Sequence, residues 1–311
     1  MKENKMSKII GSLLGGAFGD AAGARLEFDK NITPKKVQEA MELKGGGVFS
    51  VAPGQVTDDT ELSIQLFKAL KEYENSNGTI DVDEYIFAHY KEWYDSNPFD
   101  IGRTTRLAFA NADVAIDANL NAEIDNFDSE SNGALMRCIP IAVYAYENNL
   151  SDDDVYSLVN KDVSLTHCKK TVVNLVYVYV CILLQLYNNK SWNDFKHKLN
   201  LKNDERLKKI LKEYKNYDKV DVYNLMGWDV HAFSLCLYCL EKNFSFTQAM
   251  EFVLSKGGDT DTNAAIVGGV MGAKYGYKVI PHLSKLLSYK PKHNRQNFHP
   301  KVYLDYFKIQ L

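Results

Sequence analysis

The chain has 311 residues, 45% of them hydrophobic and 25% charged, with a formal net charge of −3. That length supports a large buried core, and the near-balanced charge excludes a chain-wide basic field for holding nucleic acid. Five cysteines, Cys138, Cys168, Cys181, Cys236 and Cys239, are an odd number set mostly in apolar segments, which argues against a disulfide framework and for a reducing, cytoplasmic setting.

The chain opens with Lys2, Lys5 and Lys8, then Ile9-Ile10 and a Leu- and Gly-rich stretch ending at Ala21 to Ala24, the outline of a secretion signal. Its glycines and Asp20 break the apolar continuity, so the segment is read as a small-residue helix over 8–23. An amphipathic helix is predicted over 59–74, with Leu62, Leu66, Ala69 and Leu70 on one face. Further helices are expected over 81–94, 103–112, 133–148, 151–161, 168–188, 191–199, 203–214, 228–242, 245–255, 262–275 and 277–287. Turn chemistry separates them at Gly45-Gly46-Gly47, Pro53-Gly54, Asn77-Gly78, Asn132-Gly133 and Gly257-Gly258.

The apolar run from Val172 to Tyr187 contains Asn174 and Gln185 and is read as a core helix, not a membrane span. Cys236-x-x-Cys239 has no second pair to complete a zinc site and reads as buried thiols. The basic stretch from Lys285 to Lys301, with Lys290, Lys292, His293 and Arg295, reads as a solvated surface loop. Hairpin alternation, βαβ rhythm, repeats and linkers are missing. The expectation is one compact all-α domain spanning 1–311, a monomer with no membrane attachment and no strong affinity for nucleic acid.

Two acidic clusters stand out: Thr57-Asp58-Asp59-Thr60-Glu61, and Gly257-Gly258-Asp259-Thr260-Asp261-Thr262-Asn263. Each opens a predicted helix, where Asp and Thr serve as N-caps, and Asp58 with Glu61 fits a capping box. Yet each cluster carries two carboxylates and flanking hydroxyls, more than a helix start needs. Crowded carboxylates repel, and if buried they take up protons unless a cation is present. The helix after the second cluster holds Ala264, Ala265, Gly268, Gly269, Gly272 and Ala273, small enough for another backbone to approach and bring the other helix start alongside. Oxygen-only donors suit hard cations, magnesium first, with manganese able to substitute. Two such ions about 4 Å apart share a bridging carboxylate and activate a water.

Six blocks, in order, resemble the ADP-ribosylglycohydrolase family: Gly15 to Glu27, Gln55 to Leu66, Asp100 to Arg106, Ser131 to Pro140, Thr166-His167 and Gly257 to Gly276. The likeness runs from about residue 8 to 276 and is weakest over 190–222, where a variable surface region is expected. It implies an all-α, compact orthogonal multi-helix fold with two Mg2+ ions at the base of a cleft. By position, Thr57, Asp58 and Asp59 resemble one ligand set and Asp259, Asp261 and Thr262 the other, with Asp261 placed to contact both ions. Glu27 matches an acidic residue near the substrate cleft. Ser131, Asn132 and Gly133 match a loop that contacts ADP-ribose, although Asn-Gly is also an ordinary turn. His167 matches a residue lining the ADP-ribose pocket, or else simply starts a helix. Gly102, Thr104 and Thr105 stand near the site or merely shape a helix start.

The implied reaction is hydrolysis of the C1″ glycosidic bond between ADP-ribose and an acceptor on a protein or small molecule. Asp58 or Asp59 would take a proton from water, and Glu27 would assist the leaving group or close the cleft. Arginine is the first acceptor to consider, because the Glu27 and Asp100 blocks resemble bacterial-type members; serine, nucleic acid and free ADP-ribose derivatives are the others. Two rival readings are a catalytically silent ADP-ribose binder and a two-metal phosphoesterase with Arg25, Arg103, Arg106 or Arg137 as clamp. Trp228 and Asp229 are placed to meet the acceptor or, for the tryptophan, to pack in the core.

Overall fold

Glycines at 11, 15, 19 and 23 recur at four-residue steps, so they line one side of the first helix, α1 (Lys2–Gly23). Ala264, Gly268 and Gly272 do the same on a late helix, α14 (Thr260–Tyr275). The two stripes face each other with the chains antiparallel: Gly11 meets Gly272, Gly15 meets Gly268, Gly19 meets Ala264 and Gly23 meets Asp261. At each of these α1 glycines an added Cβ would overlap the backbone of α14. The seam therefore depends on absent side chains, and it delivers the start of α14 to the end of α1.

The computed structural model describes residues 2–76 and 80–309, so the expected Asn77-Gly78 turn lies outside the described residues. Sixteen α-helices form among them. Between α1 and α14 run α2 (Pro34–Met41), α3 (Asp58–Glu74), α4 (Val82–Asp95), α5 (Arg103–Phe109), α6 (Ala115–Asp125), α7 (Ile139–Glu147), α8 (Asp152–Ser164), α9 (Lys170–Tyr187), α10 (Trp192–Phe195), α11 (Glu205–Glu213), α12 (Asp229–Glu241) and α13 (Phe246–Lys256). The short α15 (Leu283–Ser288) and α16 (Lys301–Phe307) follow. No strand forms among the described residues; Gly46–Val51 and Ser131–Trp228 make isolated bridges only.

The all-α expectation holds, and the central helices fall within a few residues of their predicted bounds. The helix expected over 133–148 begins only at Ile139, with Pro140 in its first turn, and Asn132–Ala134 forms a separate 3-10 turn. The stretch 277–287 breaks at Pro281 into a 3-10 turn and α15. Helices α2, α6 and α16 were not expected; α2 is short, with Thr33 as cap and Pro34 in its first turn. Helix α9 is long and apolar enough to cross a membrane, yet it is 72% buried inside the protein, and Tyr179 on it donates to the Ile266 carbonyl of α14 at 2.8 Å. All five cysteines are free, and Cys236 and Cys239 are buried within α12.

Two local expectations fail. The stretch 285–301 is not simply a solvated loop: Lys290, Lys292 and His293 are exposed, but Arg295 is buried. Its guanidinium donates to Glu61 through Nε (2.9 Å to Oε1) and Nη2 (2.5 Å to Oε2). Glu61 also accepts from Trp93 Nε1 at 2.8 Å, so it is an ion-pair partner and not the distal half of a capping box with Asp58. The cap of α3 comes from elsewhere.

Candidate functional site

That cap is Asp20, on α1. Its carboxylate accepts from the backbone N–H of Thr57 (3.0 Å), the Thr57 hydroxyl (2.8 Å) and the backbone N–H of Thr60 (3.1 Å). A helix start leaves these N–H groups without partners inside its own helix, and here a neighbouring helix supplies the acceptor. The start of α3 is thereby pinned to α1. The loop after α1 is tied to the other acidic cluster by Phe28 N–H donating to the Gly258 carbonyl (3.2 Å) and Thr260 Oγ1 donating to the Gly23 carbonyl (2.8 Å). Helix α1 is thus the common reference for both helix starts and for Glu27.

Side-chain oxygens of Glu27, Asp259 and Asp261 come within 4.8 Å of one another. Together with Asp58, Asp100 and Thr262 they line a cleft of about 520 Å3, whose wall also includes Ser131, Asn132 and Gly133. Asn132 Nδ2 donates to Asp259 Oδ2 at 2.8 Å, while its own N–H is held by the Gly227 carbonyl at 2.8 Å. Thr57 and Asp59 lie beneath this surface: Thr57 is fully buried, its hydroxyl 3.3 Å from Asp59 Oδ2, and Asp59 is 1% exposed. His167 is also fully buried, one layer behind the loop, with Nε2 2.8 Å from Ser131 Oγ and Nδ1 2.8 Å from Thr166 Oγ1. Burial, then the charge of Arg137, lowers its pKa to about 3, so it is a neutral ring that fixes Ser131.

Burial, reinforced by neighbouring carboxylates, raises Glu27 and Asp100 to about 9 and Asp58 to about 8. The same causes put Asp59 and Asp261 well above the usual carboxylate range. Asp20, buried but bonded to Thr57 and Thr60, rises only to about 6. Such a constellation is stable either as protonated acids or around positive charge.

A hard divalent cation fits these donors. The cluster is oxygen-only, and Glu27 Oε2 and Asp59 Oδ1 are buried without any hydrogen-bond partner. The N-cap residue of each helix is also free of local capping work, since neither Thr57 nor Asp259 makes a side-chain cap bond to its own helix. Of the arginines considered as phosphate clamps, Arg25 is held by Glu39 and Arg137 by Asp162; only Arg103 and Arg106 reach the cleft. Asp229 is paired with Arg206, and the Trp228 indole donates to Glu130; neither lines the cleft.

Asp20, Asp100 and the Arg295–Glu61 pair are the participants that sequence reasoning did not single out. Asp20 had a signal, a lone charge inside a Gly- and Ala-rich helix. Asp100 opens the block that runs to Arg106, but a single aspartate before a Gly-x-Thr-Thr helix start carries no local sign that it faces the cleft.

Fold and site together define an all-helical protein with a cleft suited to divalent cations. The ADP-ribosylglycohydrolase family model matches residues 1–298, and the chain belongs to that family of hydrolases acting on ADP-ribosylated substrates. A protein of Acanthamoeba polyphaga mimivirus, provisionally named an ADP-ribosyl glycohydrolase, is 30% identical over 94% of this chain and 95% of its own. The ADP-ribosyl-[dinitrogen reductase] glycohydrolase of Rhodospirillum rubrum is 27% identical over 90% of both chains. The ADP-ribosylarginine hydrolase Tri1 of Serratia proteamaculans is 27% identical over 90% of this chain and 75% of its own. A solved ADP-ribosylglycohydrolase-related protein complex shares the fold, with a TM-score of 0.74, 23% identity and full coverage of both chains.

Proposed function

We propose that this chain hydrolyses the C1″ bond between ADP-ribose and a protein arginine, using two magnesium ions that manganese can replace. The observation that carries the reading is the gathering of Glu27, Asp58, Asp100, Asp259 and Asp261 on one cleft, with partnerless buried oxygens on Glu27 and Asp59. Thr57, Asp58 and Asp59 would hold one ion and Asp259, Asp261 and Thr262 the other, with Glu27 in reach of the second group. Bound there, the ions supply Lewis-acid polarisation and fixed positive charge.

The protein's own groups divide the remaining work. Asp58, facing the cleft, is the base placed to take a proton from the attacking water. Asp100 and Glu27, on the same cleft, are the groups in reach to give one to the departing nitrogen as positive charge builds on the ribose. Ser131 and Asn132, fixed by His167 and Gly227, offer polar contacts to ADP-ribose. The acidic wall favours arginine over serine as acceptor, because a glycosylated guanidinium keeps several N–H donors for carboxylates and a glycosylated serine oxygen has none. The ADP-ribosylarginine hydrolases among the relatives agree with that preference.

The test is mass-spectrometric product analysis on ADP-ribosylated arginine, serine and nucleotide substrates with magnesium present. Free ADP-ribose and intact arginine from the first substrate alone is the expected result. Release from serine or nucleotide in preference would overturn the acceptor assignment, and heat of ADP-ribose binding without any release would make the protein a silent binder.

A further inference from the structure

Helix α6 inverts the usual amphipathic arrangement. Its buried residues are Ala115, Ala118 and Ala122, while its bulky apolar residues face solvent: Ile116 is 57% exposed, Leu120 48% and Ile124 70%, at four-residue steps along one side. Phe127, just beyond the helix, extends the stripe at 64% exposure. Scattered exposed apolar residues need no explanation, but an aligned row marks an interaction surface. Helical position puts Asp117 and Glu123 on either flank, and no Lys, Arg or His occurs from 107 to 136.

The stripe lies one helix from the cleft. Asn121 Nδ2 donates to the carbonyls of Ala108 and Ala110 at 2.9 Å, and Asn126 Nδ2 to that of Thr104 at 2.8 Å, which binds α6 to α5. Helix α5 contributes Arg103, Thr104, Thr105 and Arg106 to the cleft wall.

We infer that α6 is a docking ridge for the protein that carries the ADP-ribose, engaged through an apolar and basic segment beside the modified side chain. The inference rests on the proposed reading of the cleft. Charge selects the occupant: a second copy would set acidic flanks against acidic flanks, and an anionic membrane or nucleic acid would be repelled. A basic segment is attracted by the flanks, and its apolar residues cover the stripe.

Two variants test this, Ile116→Ser/Ile124→Ser for the stripe and Glu123→Lys for the flank. Each is assayed on histone ADP-ribosylated at arginine and on ADP-ribosyl-agmatine, which has the same bond and no protein. On the histone, kcat/KM should fall about tenfold through KM. On the agmatine derivative it should stay within about twofold of the parent. Equal effects on both substrates, or none on either, would overturn the inference, as would a wild-type dimer in sedimentation velocity that the stripe variant dissociates. If the wild type turns over neither substrate, the cleft reading fails by itself. The ridge is then decided by calorimetric Kd for the modified histone: weaker binding by the variants supports it, and unchanged binding refutes it.

Discussion

The starts of α3 and α14 carry similar acidic runs, yet they are held in place by different means. At α3 the anchoring is remote and buried: Asp20 caps the helix from α1, and Glu61, one turn in, is locked to Arg295 from the far end of the chain. At α14 the anchoring is chiefly close backbone contact, Gly23 against Asp261, supplemented by single bonds from Thr260 to the Gly23 carbonyl, Phe28 to the Gly258 carbonyl and Asn132 to Asp259. One helix start is fixed by polar bonds that mutation can weaken in steps. The other is fixed by the absence of side chains, where a single methyl group has nowhere to go.

Breaking the glycine seam should therefore do the most damage. Gly15→Val places side-chain atoms where the Gly268 carbonyl lies, and we expect more than about 4 kcal/mol of destabilisation, read as loss of a cooperative urea transition. Arg295→Met should cost about 3–5 kcal/mol by chemical denaturation, because it strands the Glu61 carboxylate in the core. Arg295→Met combined with Glu61→Met should recover most of that loss. Failure to recover would show that Arg295 acts through something other than this pair.

Asp261→Ala separates function from fold. It should abolish turnover while raising the melting temperature of the metal-free protein, since it removes a buried carboxyl pushed up by burial and its neighbours. A lower melting temperature would contradict that electrostatic reading.

The mildest effect is on pH dependence. Glu27 and Asp100, at about 9, and Asp58, at about 8, bind protons more tightly in the folded chain than in the unfolded one, where carboxyls titrate near ~4. Their contribution to stability is thus present in full below the unfolded value and is lost as pH rises through about 8–9. Metal-free protein should melt at a higher temperature at pH 5.5 than at pH 8.5 on this account, and saturating magnesium should shrink or reverse the difference. Parallel melting curves with and without magnesium would contradict it.

What was legible in the sequence follows the same division. The small residues of α14 and the doubled carboxylates were readable because both are local patterns with a physical cost attached. Asp20 and Arg295 were not, because their meaning lies in partners at Thr57 and Glu61, 37 and 234 residues away. Helix α6 went unseen for another reason: Ala115, Ala118 and Ala122 fall on one side and Ile116, Leu120 and Ile124 on the other, so apolar residues surround it and the periodic contrast that announces a helix is weak. Likewise, the resemblance offers His167 as a lining residue or a helix-start histidine, and neither conveys its burial behind Ser131, which depends on the α8–α9 packing.

Manganese titration followed by electron paramagnetic resonance asks whether the two helix starts grip cations jointly. Wild-type protein should bind two ions per chain with a spin-coupled spectrum, and Asp58→Ala or Asp261→Ala, one from each cluster, should each abolish the coupled signal. A variant with both substitutions that still binds manganese with wild-type stoichiometry and affinity would show that the acidic runs serve their own helices and nothing more.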